Sequence, residues 1–282
     1  MSGRVRSLLP GSILLLVVLV TTVWALFPLH EPQLPGILHL GVIGGEDPPV
    51  LDRSFRPLVS FLGRSVRRSG VVQVLTAEEI DGGEHGADLL LVPPGRIQRD
   101  GYEVLAWTKP VGRVGVRTEL VLVRRRGTVG EPLRLGLGDR DVLGGPAAGV
   151  RRLREGGMTV GDEATVGTSP YCHDEMIAAF AHGAVDAIVV RRTDLDRALG
   201  AGLLEGETLR IESLGEASPR FALVAGPSLS EPARRELRSR ALTLDHLRLN
   251  PNHGQAKAVA LSLAHVGIGG FAPLEPFPNL RP

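Results

Sequence analysis

The sequence predicts an α/β protein of two lobes behind one N-terminal apolar helix. Three observations carry this expectation. A single long apolar segment follows a short, arginine-bearing start. Beyond residue 36, short apolar strands alternate with amphipathic helices, the pattern of a mostly parallel sheet covered by helices. Near residue 130 the alternation begins again, and the 282 residues suffice for two lobes.

The composition narrows what the chain does. Hydrophobic residues make up 43% and aromatics only 4%, so Val, Leu, Ile and Ala must build the core. Lys and Arg total 32 against 31 acids, a net charge of +1 that gives no argument for a nucleic-acid partner. A single cysteine, Cys172, excludes an intrachain disulfide and a cysteine zinc cluster. No cofactor loop is present. Gly41-Val42-Ile43-Gly44-Gly45 lacks the third glycine of a dinucleotide turn, and Pro48-Pro49 reads as a block to the helix that should follow. No Gly-x-Ser-x-Gly elbow accompanies Ser169 and His173, so the chain is not expected to be an enzyme. The eight histidines show no metal-ligand spacing, and His246 and His253 read as parts of a surface loop.

Residues 1–10, with Arg4 and Arg6 and no acid, read as a cytoplasmic N-terminus. Gly11 to Leu29 matches the roughly 20 apolar residues that cross a bilayer, with Trp24 near the outer end. Val23-Trp24-Ala25-Leu26-Phe27 is not the small-x-small pattern of a cleaved leader, which favours a retained anchor over a signal peptide. Residues 30–36 form a linker. The remainder is expected outside the cytoplasm, as one lobe over 37–125 plus 225–282 and another over 126–224.

In the first lobe Ile37–Ile43 reads as a strand. A helix over 52–67 places Phe55, Leu58, Val59, Leu62 and Val66 on one face. Val71–Leu75 is a strand, and Thr76-Ala77-Glu78-Glu79 is a capping box opening a short helix. Ala87–Val92 is the continuous apolar run of a strand buried on both faces. Leu105–Thr108 and Glu119–Arg124 follow as strands, and Arg124-Arg125-Arg126 reads as a solvated edge or hinge charge. In the second half of the chain strands are expected at 133–137, 164–166, 187–190, 209–214 and 221–225, the last of which can cross back to the first lobe. Helices are expected at 144–155, 174–182, 193–201, 230–244 and 254–266. Two lobes of this kind can close on a small ligand lying off the carboxyl ends of their strands.

The segment Thr165 to Val190 carries the most chemistry. A strand ends, a polar loop presents Ser169, Tyr171 and His173, and a helix starts at Asp174. Free amides at a helix start beside a histidine suit an anion. Ser169 or Asp174 acting only as a helix cap remains the alternative.

This segment resembles the phosphate/phosphite/phosphonate-binding proteins of bacterial ABC importers. Cys172-His173-Asp174-Glu175 is similar to that family's G-S-H-D-A turn. His182-Gly183-Ala184-Val185-Asp186-Ala187 is similar to its N-G-x-V-D-A strand. The likeness extends to Leu40-Gly41-Val42 with Glu46-Asp47-Pro48, to Ala87-Asp88-Leu89, and to Gly267-Ile268-Gly269-Gly270-Phe271, read as a closing turn. It covers roughly residues 37–275. The resemblance implies a type II periplasmic-binding-protein-like clam-shell that takes a small oxyanion of the phosphate or phosphonate class to an ABC permease, without a cofactor. Thr118, Tyr171 and His173 carry over as pocket residues.

Three departures bear on the ligand. The family's hydroxyl-rich turn after Gly-Asp becomes Arg140-Asp141-Val142-Leu143-Gly144-Gly145, leaving the amides of Gly144 and Gly145 to meet an oxyanion or simply to form a tight turn. Its aromatic loop becomes Pro93-Pro94-Gly95-Arg96-Ile97, which offers Arg96 as a new anion partner. Its serine after a tyrosine-containing turn becomes Thr118, with Val116 before it. These departures keep a second reading open: a membrane-anchored sensory or accessory module whose pocket has drifted, acting through another inner-membrane protein.

Overall fold

The computed structural model describes residues 36–274 apart from 46, 84, 97–100, 114, 128–133, 139–150, 152, 156–164, 167–172, 218 and 251. The expected membrane segment 11–29 and the linker lie outside these residues. Among the described residues no helix is long and apolar enough to cross a membrane.

The described residues from Ile37 onward fold around two sheets. The first contains β1 (Ile37–Ile43), β2 (Ser69–Leu75), β3 (Leu89–Val92), β4 (Glu103–Pro110), β10 (Ala222–Ala225) and β11 (Ile268–Ala272). Its order is β11-β4-β10-β3-β1-β2. β1, β2 and β3 are parallel, β4 runs with them, and β10 and β11 run against them. The second contains β5 (Thr118–Arg125), β6 (Leu135–Leu137), β7 (Thr165–Val166), β8 (Ala187–Arg191) and β9 (Leu209–Ala217), in the order β7-β6-β8-β5-β9. β6, β7 and β8 are parallel, and β5 is antiparallel to both β8 and β9.

The helices follow the apolar spacing. α1 (Pro48–Ser65) buries Phe55, Leu58, Val59 and Leu62 completely. It starts before Asp52, because Pro48 and Pro49 open it instead of blocking it. A first-turn proline loses only an N–H that has no partner inside the helix, and its fixed φ already suits the turn. α2 (Ala77–Gly82) has the expected capping box: Glu79 N–H donates to Thr76 Oγ1 at 3.1 Å, and Thr76 N–H donates to Glu79 at 2.7 Å. α3 (Asp174–Ala181) buries Met176, Ile177 and Phe180. α4 (Arg192–Gly200), α5 (Glu231–Leu249) and α6 (Gly254–His265) complete the set. α5 outruns its expected end and takes in His246, so that histidine is helical. Of the helix expected over 144–155, residues 151 and 153–155 are described and are helical.

Three readings change. Glu119–Arg124, placed with the strands before it, pairs with β8 and β9 in the second sheet. Two short apolar strands separated by glycine and arginine look the same whether they form a hairpin or cross between sheets. Gly267–Phe271 is largely strand β11, paired with β4, so the closing turn is an edge strand. The triple arginine is exposed at Arg125 and Arg126, as read, but it ends a strand inside the second sheet and not at its edge, and each side chain is tied down. Arg124 pairs with Glu212 at 2.5 Å, and Arg126 donates to Leu209 O at 3.1 Å. Arg125 donates to the Phe180 and Ala181 carbonyls at 3.0 and 2.7 Å, where a cation meets the negative end of α3.

Both lobes carry the same pinning device. In the first, Asp88 N–H donates to His39 O, and the Asp88 carboxylate accepts from His39 N–H at 3.0 Å. In the second, Asp186 N–H donates to Arg134 O, and its carboxylate accepts from Arg134 N–H at 3.0 Å. Two residues further along come Gly41, paired with Leu90, and Gly136, paired with Ile188. A Cβ on Gly41 would meet Leu75 and Leu90 at 2.6 and 2.7 Å, and one on Gly136 would meet Met176 at 2.9 Å. The aspartates of the two similar sequence motifs therefore hold each central pair of parallel strands in register.

Candidate functional site

Strand direction places the site. β4 leaves the first sheet at its carboxyl edge, and β5 enters the second beside the carboxyl end of β8, with Leu120 opposite Arg191. β9 leaves at that same edge, where Ala217 pairs with Thr118, and β10 enters the first sheet with Ala222 opposite Val92 and Trp107. Two short connections, from Pro110 to Thr118 and from Ala217 to Ala222, thus join the carboxyl edges of the two sheets. Ligands of open α/β sheets sit beyond such edges.

His173 lies at this edge in the second lobe, directly before α3, and is 1% exposed. Its ring packs on the backbone of Gly138 at the end of β6, where a Cβ would sit 2.4 Å from Cγ. Nδ1 is 3.1 Å from Asp194 in the first turn of α4. Nε2 is buried and has no hydrogen-bond partner among the described residues. Burial lowers the His173 pKa from 6.5 to about 3. Asp194 pulls it up, while Arg220, Arg191 and Arg197 push it down further. Burial also acts to raise Asp194, but Arg220 foremost, then His173, Arg197 and Arg191, outweigh it and hold that carboxyl below its ordinary value. The pair is therefore an ionised carboxylate beside a neutral imidazole.

Arg220 pairs with Asp194 and is itself buried. It stands in the second connection, so this ion pair ties the segment entering β10 to α4. Arg191, 2% exposed, closes β8 beside them. Thr118 opens β5, and its Oγ1 is buried with no hydrogen-bond partner among the described residues. It borders two hollows. One, of about 10 Å³, has room for about one water and is lined by Thr108, Thr118, Arg191, Thr193 and Arg220 among others. The other, of about 410 Å³, opens to solvent between Arg113, Arg117, Thr118, Arg192 and Glu216. Its arginines are balanced: Arg117 pairs with Glu216 at 3.2 Å, and Arg113 and Arg192 share Asp196 at 3.5 and 2.8 Å.

The structure thus places Thr118 and His173 at one carboxyl edge. Arg96 lies in the first lobe, where its guanidinium donates to Asp81 at 2.6 Å and to Ala77 O at 3.4 Å. Gly144, Gly145 and Tyr171 lie outside the described residues. The sequence reading missed Arg191, Asp194 and Arg220. A signal existed for one of them: Arg191 ends an apolar run that should stay buried. Among the described residues no group of three or more His, Cys, Asp or Glu could hold a metal ion.

No family model and no curated protein matches the sequence. Solved structures do match the fold. PhnD1 from Prochlorococcus marinus (MIT 9301), in complex with methylphosphonate, aligns at 18% identity with a TM-score of 0.64, covering 88% of this chain and 95% of its own. The chain has the fold of a two-lobed solute-binding protein. A binding-protein component of an ABC phosphonate transporter from Pseudomonas aeruginosa aligns at 14% identity and TM-score 0.59, covering 85% of this chain and 82% of its own. A Xanthomonas citri protein bound to ATP aligns at 18% and 0.58, covering 86% and 92%. The mixed sheets flanked by helices agree with the clam-shell fold expected from the motifs.

Proposed function

We propose that this chain is an extracytoplasmic solute-binding protein that takes a small oxyanion of the phosphate or phosphonate class and delivers it to an ABC permease in the membrane. It performs no covalent chemistry, and residues 11–29 hold it at the cytoplasmic membrane. The observation that carries this reading is the buried Nε2 of His173, which has no hydrogen-bond partner among the described residues and stands at the start of α3, on the edge that the two connections join. Helix amides and an unpartnered polar group at such an edge suit a small polar ligand. His173, Thr118, Tyr171 and the amides of Gly144 and Gly145 form the binding set. Arg96 joins it only by giving up Asp81. The two phosphonate-linked structures of similar fold support the ligand class.

Titration of the full chain in detergent with phosphate, phosphite and methylphosphonate tests the proposal. Saturable heat with at least one is expected, with thermal stabilisation worth about 2.7 kcal/mol at a hundredfold excess over Kd. Absence of both effects with all three would remove the ligand class. The hydroxyl-free stretch Arg140–Gly145 favours the anchored sensory or accessory module in that event.

A further inference from the structure

Two neighbours make opposite demands on Nδ1 of His173. Asp194 Oδ2, at 3.1 Å, needs a proton there, whereas the Arg191 backbone N–H, at 3.4 Å, needs a lone pair. The carboxylate wins. It is nearer, and Arg220, Arg197 and Arg191 keep it ionised, while the amide sits beyond the usual hydrogen-bond range. Nδ1 therefore carries the proton. Burial keeps the ring neutral, so only one nitrogen is protonated. Nε2 is left with a lone pair and can only accept. It is buried and without a donor among the described residues, a state that is unfavourable until a donor arrives.

We infer that the ligand supplies this donor: the site selects a small anion that still carries an O–H or N–H, and His173 Nε2 accepts its hydrogen bond. This inference rests on the solute-binding reading above. For a phosphorus oxyanion the selected form is the singly protonated one, because a fully ionised oxygen would set its lone pairs against that of Nε2. The charged groups around the ring leave this assignment in place. Asp194 and Arg197 come from α4, Arg191 from β8 and Arg220 from the second connection. Asp174 and Glu175 stand in the first turn of α3, where Asp174 pairs with Arg197 at 2.6 Å.

Methylphosphonate and methanesulfonate separate the two possibilities, since they share size and tetrahedral shape but only the phosphonate retains a proton. With the full chain, methylphosphonate is expected to bind at least about tenfold more tightly, the value of one such hydrogen bond. Its apparent affinity should fall about tenfold per pH unit once the ligand's second ionisation is passed. Nitrogen-15 correlation spectra of the ligand-free chain, with His173 assigned by its loss in His173→Gln, should show a protonated Nδ1 and a bare Nε2. Equal binding of both ligands, affinity that rises with the dianion, or a protonated Nε2 would each overturn the inference. If neither ligand binds, the ligand class fails, and the nitrogen spectra still decide the acceptor assignment independently.

Discussion

The Asp194 carboxylate serves several groups at once: it pairs with Arg220, meets His173 Nδ1 at 3.1 Å and lies 3.8 Å from Arg197. A carboxylate so deeply buried is tolerable only because these partners return what desolvation takes away. The same burial makes His173 a source of acid lability. In the unfolded chain the imidazole titrates near 6.5, and in the native chain it is held at about 3. As pH falls below 6.5, the unfolded chain takes up a proton that the native chain refuses. The stability contribution is complete above that value and is lost steadily down to about 3, at up to about 1.4 kcal/mol per pH unit. Urea unfolding between about pH 4 and pH 7 should show this slope in the natural chain. His173→Gln cannot titrate, so its stability should fall less steeply over the same range. Parallel profiles for the two proteins would contradict the burial of a neutral ring.

The repeated pin explains what the aspartates of the two motifs do at the level of elements. Asp88 accepts from His39 N–H at 3.0 Å and from the Ser228 hydroxyl at 2.7 Å, with Arg68 3.7 Å away. One carboxylate thereby ties β1, β3 and the loop after β10. Asp88→Ala leaves a backbone N–H without its acceptor near the centre of the first lobe. The expected cost is about 1–3 kcal/mol in chemical denaturation, with ligand affinity unchanged because the pin lies at the amino end of β3, away from the site. This is also where sequence legibility stops. Strand and helix existence was readable because apolar runs and helical spacing are local properties, as in ADLLLV and the α1 face. Sheet membership was not readable. β5 pairs with β8 and β9, whose residues lie roughly 60–100 positions away, and nothing local specifies that choice. The site divides in the same way. His173 stood out beside a helix start. Asp194 and Arg220 acquire meaning only when α4 and the second connection meet, and an isolated Arg before an apolar strand reads as surface charge.

For the whole molecule, the two connections decide how the lobes can move. On the first-lobe side they are stapled together by Thr108 and Phe221. Phe221 N–H donates to Thr108 Oγ1 at 3.0 Å, Thr108 Oγ1 donates to Phe221 O at 3.1 Å, and Thr108 N–H donates to the same carbonyl at 3.0 Å. On the second-lobe side Thr118 pairs with Ala217. Bending between the sheets is therefore expected at the few residues between these two fixed pairs, from which Arg113 and Arg220 reach to α4. Thr108→Val keeps the shape of the side chain but removes the hydroxyl, which both donates and accepts. Thr108 is 2% exposed, so water cannot replace it, and the Phe221 N–H is left without that acceptor. The expected loss is about 1–3 kcal/mol of stability by urea unfolding. Because the loosened staple borders both connections, the variant should also show faster amide exchange in residues 111–113 and 219–222, with the strands of both sheet centres unchanged. Exchange rising equally in β1 and β8 would mean that Thr108 supports the core as a whole and that the pivot lies elsewhere.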